Sequence, residues 1–316
     1  MNETKVFVTW QKDLYKSQNK RYILTFMCFL IFLLYLKRQF NILFKALLTD
    51  ILFMNPYIFK ILVFVLIATA CKKQDKRTNP APAEVTYYES FDTIDIKKWQ
   101  YQLYSFDGNG CNMRKENVFI KNSILSLKTE LNADASLPKK YNGGEIGDNR
   151  FYLYGYYTVR MRSNLCGGTV SAFFLMNQWQ PADWEHKEID IEFLGKNRKA
   201  IQCTNHDFQD GGKTWKSSSK TMDLPFDVGN DFHEFSILWT SDSVAWFADG
   251  RFIHSDKLYV PHEPLQIRMN YYAGDVAVDG IQPWLGDVDE TCLPTTTDVD
   301  WIKRESLEDY RRRMKQ

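Results

Sequence analysis

The stretch Trp184-Glu185-His186-Lys187-Glu188-Ile189-Asp190-Ile191-Glu192-Phe193-Leu194-Gly195 sets carboxyl groups at 188, 190 and 192. A spacing of two is the repeat of an extended chain, so in a strand Glu188, Asp190 and Glu192 share one face. Ile189, Ile191 and Phe193 then share the other. The apolar face can pack on a second layer, which leaves the acids facing solvent or a cleft. A row of like charges repels, and Asp disfavours strands, so the pattern suits a working site better than a scaffold. A solvated strand face and a calcium site are the alternatives, although alternate strand positions fan out along a line and do not wrap one ion. Glycoside hydrolysis needs two carboxyl groups flanking the bond to be cut, about 5–5.5 Å apart when configuration is retained. In a strand the Cα atoms of Glu188 and Glu192 lie on the order of 13 Å apart, a gap that inward-leaning side chains can close. Asp190 stands between them and can share a proton with either. Mutual repulsion keeps one carboxyl protonated near neutral pH, ready to act as the acid. The spacing alone does not say which glutamate is the nucleophile.

Such a strand needs neighbours, and the chain supplies them from about residue 84 to residue 307. Short β-rich runs recur between turn signals: Val118–Ile120, Tyr152–Arg162, Val170–Met176, Phe235–Trp239 and Val244–Phe247. Asp249-Gly250 between Trp246-Phe247 and Phe252-Ile253 is a two-residue hairpin signal. No long amphipathic helical pattern occurs before the charged end, Ser306 to Gln316, which suits a short helix. Many short strands in one block predict an all-β sandwich of two sheets.

Formal net charge is +1, which gives no electrostatic case for nucleic acid. Aromatic residues make up 15% of the chain, a composition that fills a β core and also covers sugar faces. Trp99, Trp239, Trp246 and Trp301 are assigned to the core. Of six Cys, Cys111, Cys166, Cys203 and Cys292 fall in the folded block, with no zinc spacing. They either pair or stay as buried thiols.

Residues 1–83 do not read as a folded domain. Ile61–Ala70 follows Lys60 and ends in Ala68-Thr69-Ala70-Cys71. A basic start, a short apolar run and small residues before a Cys make a bacterial lipoprotein signal over 54–71, with Cys71 lipidated. Met54 then reads as the true start and 1–53 as translated upstream sequence. The alternative is a membrane helix at 22–36. Residues 72–83 are a polar tether, 84–308 the catalytic domain and 309–316 a charged tail. The expected location is the cell envelope or outside it.

Around Glu188-Ile-Asp-Ile-Glu192 followed by Phe-Leu-Gly195, the chain resembles glycoside hydrolase family 16. The resemblance runs from Tyr88-Glu-Ser-Phe91 to Asp300-Trp-Ile-Lys303, through Tyr154–Arg160, Ser171–Phe174, Trp246–Gly250 and Trp284-Leu-Gly286. It implies a concanavalin A-like β-jelly roll of two curved antiparallel sheets. It makes Glu188 the nucleophile, Asp190 the assisting residue and Glu192 the general acid/base. It also implies a monomer that needs no cofactor and acts on β-glucan. The unbroken spacing from Asp190 to Glu192 is similar to licheninases and xyloglucan endotransglycosylases. Phe193-Leu-Gly-Lys196 and Trp284-Leu-Gly286 lean to the former, His186 and Thr204-Asn205 to the latter. Glu145 matches a cleft acid of licheninases, but the Arg that follows it by two is here Gly147. Cys111 matches one disulfide partner, whereas Gly143-Gly144 stand where the second is expected. Asp300 matches an acid that holds structural calcium in some members. Trp184, His186, Gln202, Asn205, Asn270, Tyr271 and Trp284 are the further candidates for sugar contact, with Trp179 behind them. Three readings follow: a β-1,3-1,4-glucanase, a xyloglucan hydrolase or transglycosylase, and an inactive glucan-binding lectin.

Overall fold

The structure, a computed structural model, describes residues 86–177, 185–209 and 214–316. The signal and Cys71, the tether, the upstream stretch, Trp179 and Trp184 lie outside the described residues. In chain order the first strands are β1 (Tyr87–Glu89), β2 (Trp99–Tyr101), β3 (Cys111–Met113), β4 (Val118–Lys121), β5 (Ile124–Leu131), β6 (Tyr141–Asp148), β7 (Gly155–Ser163) and β8 (Thr169–Met176). They continue as β9 (His186–Leu194), β10 (Ala200–Gln209), β11 (Thr214–Asp223), β12 (His233–Trp239), β13 (Val244–Ala248), β14 (Arg251–Asp256), β15 (Gln266–Ala273) and β16 (Thr295–Glu305). Two short helices, α1 (Ile281–Leu285) and α2 (Leu307–Arg313), follow β15 and β16.

One sheet runs β11-β10-β9-β8-β15-β6, with β2 on the far side of β6. The second runs β5-β16-β7-β12-β13-β14, with β4 on β5 and β1 on β16. The β5–β6 pairing at Glu130 and Leu131 joins the two. All pairings are antiparallel except β3 with β6. The expected sandwich is therefore present.

The sandwich fixes which way β9 faces. Ile189, Ile191 and Phe193 are fully buried in the inter-sheet core, and Phe193 meets Phe235 of the opposite sheet at 4.6 Å. Each such side chain contributes about 1.5–3 kcal/mol by leaving water, so turning the strand over would forfeit all three. The second sheet also grips the strand backbone: Trp246 Nε1 donates to the Asp190 carbonyl at 2.9 Å. At the strand's end, a Cβ on Gly195 would sit 1.6 Å from the Cys166 carbonyl oxygen, so only glycine lets the two backbones cross there. The register of β9 with β8 and β10 is unbroken from Glu188 to Glu192.

The hairpin signal holds: Asp249 and Gly250 have φ of 47° and 71° between β13 and β14. Trp99, Trp239 and Trp246 are core residues, whereas Trp301 is half-buried against Tyr88 on the outer surface. Helix α2 is N-capped by Ser306, and Tyr310 stacks on Tyr156 at 4.8 Å. The charged end is thus docked on the body from Leu307 to Arg313. Cys166 and Cys292 form a disulfide, while Cys111 and Cys203 are buried thiols.

Candidate active site

Directly paired residues of an antiparallel sheet share a face, so the registers define the acid face. Glu188, Asp190 and Glu192 stand opposite Met176, Phe174 and Ala172 of β8 on one side. On the other they stand opposite His206, Thr204 and Gln202 of β10. Beyond β8 the same face carries Gln266, Arg268 and Asn270 of β15, then Glu145 and Gly147 of β6. A cavity of about 540 Å³ opens at the β2 edge, lined by Gln100, Gln102, Tyr104, Phe106, Asp107 and Arg268.

The three acids do not share one electrostatic state. Burial alone would raise the Glu188 carboxyl. The imidazoles of His186 and His206 and a hydrogen bond from Asp190 outweigh it and hold Glu188 below its ordinary value. His186 Nε2 lies 2.5 Å from Glu188 Oε2. Asp190 is pushed far up by burial and by Glu188 and Glu192 on either side, so it keeps its proton and donates it to Glu188. His206 Nε2 stands 3.3 Å from Asp190, and burial depresses its own pKa. Glu192 is raised to about 8, chiefly by burial and then by the Glu188 charge. Gln202 Nε2 donates to Glu192 at 2.7 Å, and Trp284 Nε1 from α1 donates to Gln202 at 3.3 Å. One glutamate is thus held ionised and the other protonated at neutral pH, the division of labour that a nucleophile and a general acid require.

Arg268 brings a guanidinium to this face and is 2% exposed. It donates to Glu145 at 3.3 Å, to Tyr104 at 2.9 Å and to Gln266 at 3.0 Å. It lies directly opposite Gly147, where a Cβ would come within 3.2 Å of Arg268 Cγ. The guanidinium that the resemblance places at 147 on β6 is therefore supplied here from β15 across a glycine. Burial raises Glu145 above its ordinary value, with Arg268 and Asn270 opposing. The Asn270 Oδ1 is buried without a partner among the described residues, next to this pair.

Two of the expected contact residues stand elsewhere. Asn205 is fully buried and donates to the Leu258 carbonyl at 3.0 Å on the core side of β10. Tyr271 is fully buried in the inter-sheet core, its hydroxyl donating to the Asn164 carbonyl at 3.2 Å. Gln202 and Asn205 are an odd number of residues apart, as are Asn270 and Tyr271, so neither pair can share a face. The neighbours His206 and Tyr272 take the places instead, and alternation counted from Gln202 would have found His206. Glu145, His186, Gln202, Asn270 and Trp284 are on the acid face or its rim. Arg268 carried no local signal in the sequence.

Glu188, Asp190 and His206 each bring one potential metal-ligand atom within 4.8 Å of the others. Asp300 sits at a register shift in β16, with its carboxylate paired to the Arg160 guanidinium. That contact engages one of the two carboxylate oxygens of Asp300. Cys111, matched in the resemblance to a disulfide partner, is a buried thiol that accepts from the Ala273 N–H at 3.2 Å.

The chain is similar to several known proteins. A Brevibacillus brevis beta-glucanase is 29% identical over 256 residues, covering 80% of this chain and 94% of that protein. A Bacillus licheniformis beta-glucanase is 31% identical over 226 residues, covering 69% and 85%. Among solved structures, a prokaryotic beta-1,3-1,4-glucanase (lichenase) derived from a mouse hindgut metagenome superposes with a TM-score of 0.62 at 28% identity, covering 71% of this chain and all of that one. The family model "Glycosyl hydrolases family 16" matches residues 107–303, the stretch that carries the carboxylate row, and the chain belongs to that family.

Proposed function

We propose that this protein is an endo-acting β-glucanase that hydrolyses β-1,3-1,4-linked or related glucans with retention of configuration. The observation that carries the reading is the opposite displacement of two glutamates on one strand face: Glu188 is held ionised, and Glu192 is raised to about 8. The Glu188 carboxylate attacks the anomeric carbon while Glu192 gives its proton to the departing glycosidic oxygen. The covalent ester removes the Glu188 charge. With that neighbour neutral, Glu192 loses one cause of its raised pKa and becomes the base that takes a proton from water. Water attacks the anomeric carbon, the ester bond breaks, and Glu188 is ionised again. Asp190 donates to Glu188 throughout and tunes its basicity. These steps need no cofactor.

The named relatives are beta-glucanases, which supports glucan as the substrate class. The product profile on barley glucan, lichenan, laminarin and xyloglucan tests this. Oligosaccharides of several lengths from barley glucan and lichenan are expected, abolished by Glu188→Gln. Transfer products on xyloglucan would favour the transglycosylase reading, and binding without turnover on all four would favour a lectin. We read Asp300 as an ion-pair residue rather than a calcium ligand. Export and lipid attachment at Cys71 belong to the same proposal and rest on residues 54–71 of the sequence. Labelled palmitate should enter the expressed protein and fail to enter a Cys71→Ala variant.

A further inference from the structure

The β10–β11 pair carries the acid face past the three carboxyls. In its register Phe208 stands opposite Trp215, His206 opposite Ser217, Thr204 opposite Ser219 and Gln202 opposite Thr221. Trp215, Ser217, Ser219 and Thr221 therefore lie on the same side as Glu188 and Glu192. The back of the strand carries Lys216, Ser218 and Lys220, and Ser218 hydrogen-bonds Asp256 of β14. Edge strands are commonly protected by lysine. Here both lysines are kept to the back, and from Trp215 to Thr221 the cleft side shows one indole and three hydroxyl groups with no charge.

Trp215 is 69% exposed, so the core does not account for it. Its ring is nevertheless braced. Phe208 meets it at 4.4 Å and 61°, and His206 at 6.1 Å and 72°. Both neighbours approach steeply, and among the described residues no ring lies parallel to the flat of the indole. Phe208 in turn meets His186 at 4.8 Å, and His186 holds Glu188. The platform is thus continuous with the acid row. An uncharged, hydroxyl-lined indole is complementary to a neutral sugar ring, whose C–H face is apolar and whose rim is hydroxylated. Among the described residues, the cleft side of β11 carries no cation that would recognise a sulfated or uronic sugar.

The geometry points to Trp215 as a stacking platform for a glucosyl residue of the substrate chain, on the β11 side of the scissile bond. β11 is two strands from β9, about 10 Å, so the stacked sugar is not one of those being parted. The inference rests on the β-glucanase reading. It is tested by titrating the Glu188→Gln protein with di- and hexasaccharides from barley glucan while following tryptophan fluorescence. Adding Trp215→Ala should weaken hexasaccharide binding about tenfold and remove most of the fluorescence change. Disaccharide binding and melting temperature should not move, and Trp215→Phe should keep most of the affinity. Equal hexasaccharide binding with and without the indole would overturn the inference and leave the β-glucanase reading standing. Equal weakening of both sugars together with a lower melting temperature would make Trp215 structural and overturn it too. If Glu188→Gln with Trp215 intact binds no glucan fragment, the β-glucanase reading falls first and the inference falls with it.

Discussion

Glu188 and Glu192 are the same side chain four residues apart, and the structure gives them opposite proton affinities. The pH profile of kcat/KM reads this directly. Glu188, held below its ordinary value of 4.5, must be ionised, so activity should persist into mildly acidic solution. Glu192 must be protonated, so activity should fall as pH passes about 8. An alkaline limb near 5 would contradict the assignment. Glu188→Gln should lose about three or more orders of magnitude in rate at unchanged fold. The same shift is a statement about stability. Folding raises the Glu192 pKa from 4.5 to about 8, so the folded protein holds that proton more tightly than the unfolded chain. The resulting stabilisation is full below about pH 4.5 and is lost as pH rises toward 8. Glu192→Gln should therefore raise Tm by on the order of 10 °C at pH 9 and leave it nearly unchanged at pH 4. An equal shift at both pH values would show that the effect is packing and not charge.

Strands decide which residues reach this site. The alternation at 188–192 was readable because apolar residues mark one face of β9 so plainly. On β10 and β15 both faces carry polar or aromatic residues, so composition did not fix the phase. Asn205 and Tyr271 were therefore expected where His206 and Tyr272 stand. The phase is set by long-range pairing, Thr204 opposite Asp190 and Arg268 opposite Phe174, which no local pattern announces. Arg268 is the sharpest case, because its role depends on a missing side chain at Gly147 on the next strand. Arg268→Met would leave Glu145 buried without its cation and should cost about 3 kcal/mol in urea unfolding. The double variant with Glu145→Gln should recover more than half of that loss. Additive losses would mean that the two groups are not coupled. At the strand's back, Trp246→Phe removes the indole hydrogen bond to the Asp190 carbonyl. It should cost about 1 kcal/mol.

At the scale of the molecule, the two-sheet sandwich was readable from many short strands and punctuating turns. The sheet orders were not, because sequence-adjacent strands such as β14 and β15 end up in different sheets. Nor was the cysteine pairing. Cys166 follows β7 and Cys292 follows α1, and the bridge between them spans a separation of 126 residues. It ties down the segment that brings Trp284 to Gln202 and Glu192. Reduction should lower stability by about 4 kcal/mol, with Cys166→Ser and Cys292→Ser reproducing the loss. Chelation with EGTA should leave Tm unchanged, because Arg160 already neutralises Asp300. A fall in Tm on chelation, reversed by calcium, would contradict that ion-pair reading.

In the proposed reaction one glutamate becomes covalently glycosylated and a second serves as acid and then base. Proton NMR of the anomeric signals during the first minutes of lichenan hydrolysis tests it most directly. Two displacements at one carbon predict that the β anomer appears first and the α anomer only later, by mutarotation. A first-formed α anomer would mean that water attacks in a single step, and Glu188 could not be the nucleophile.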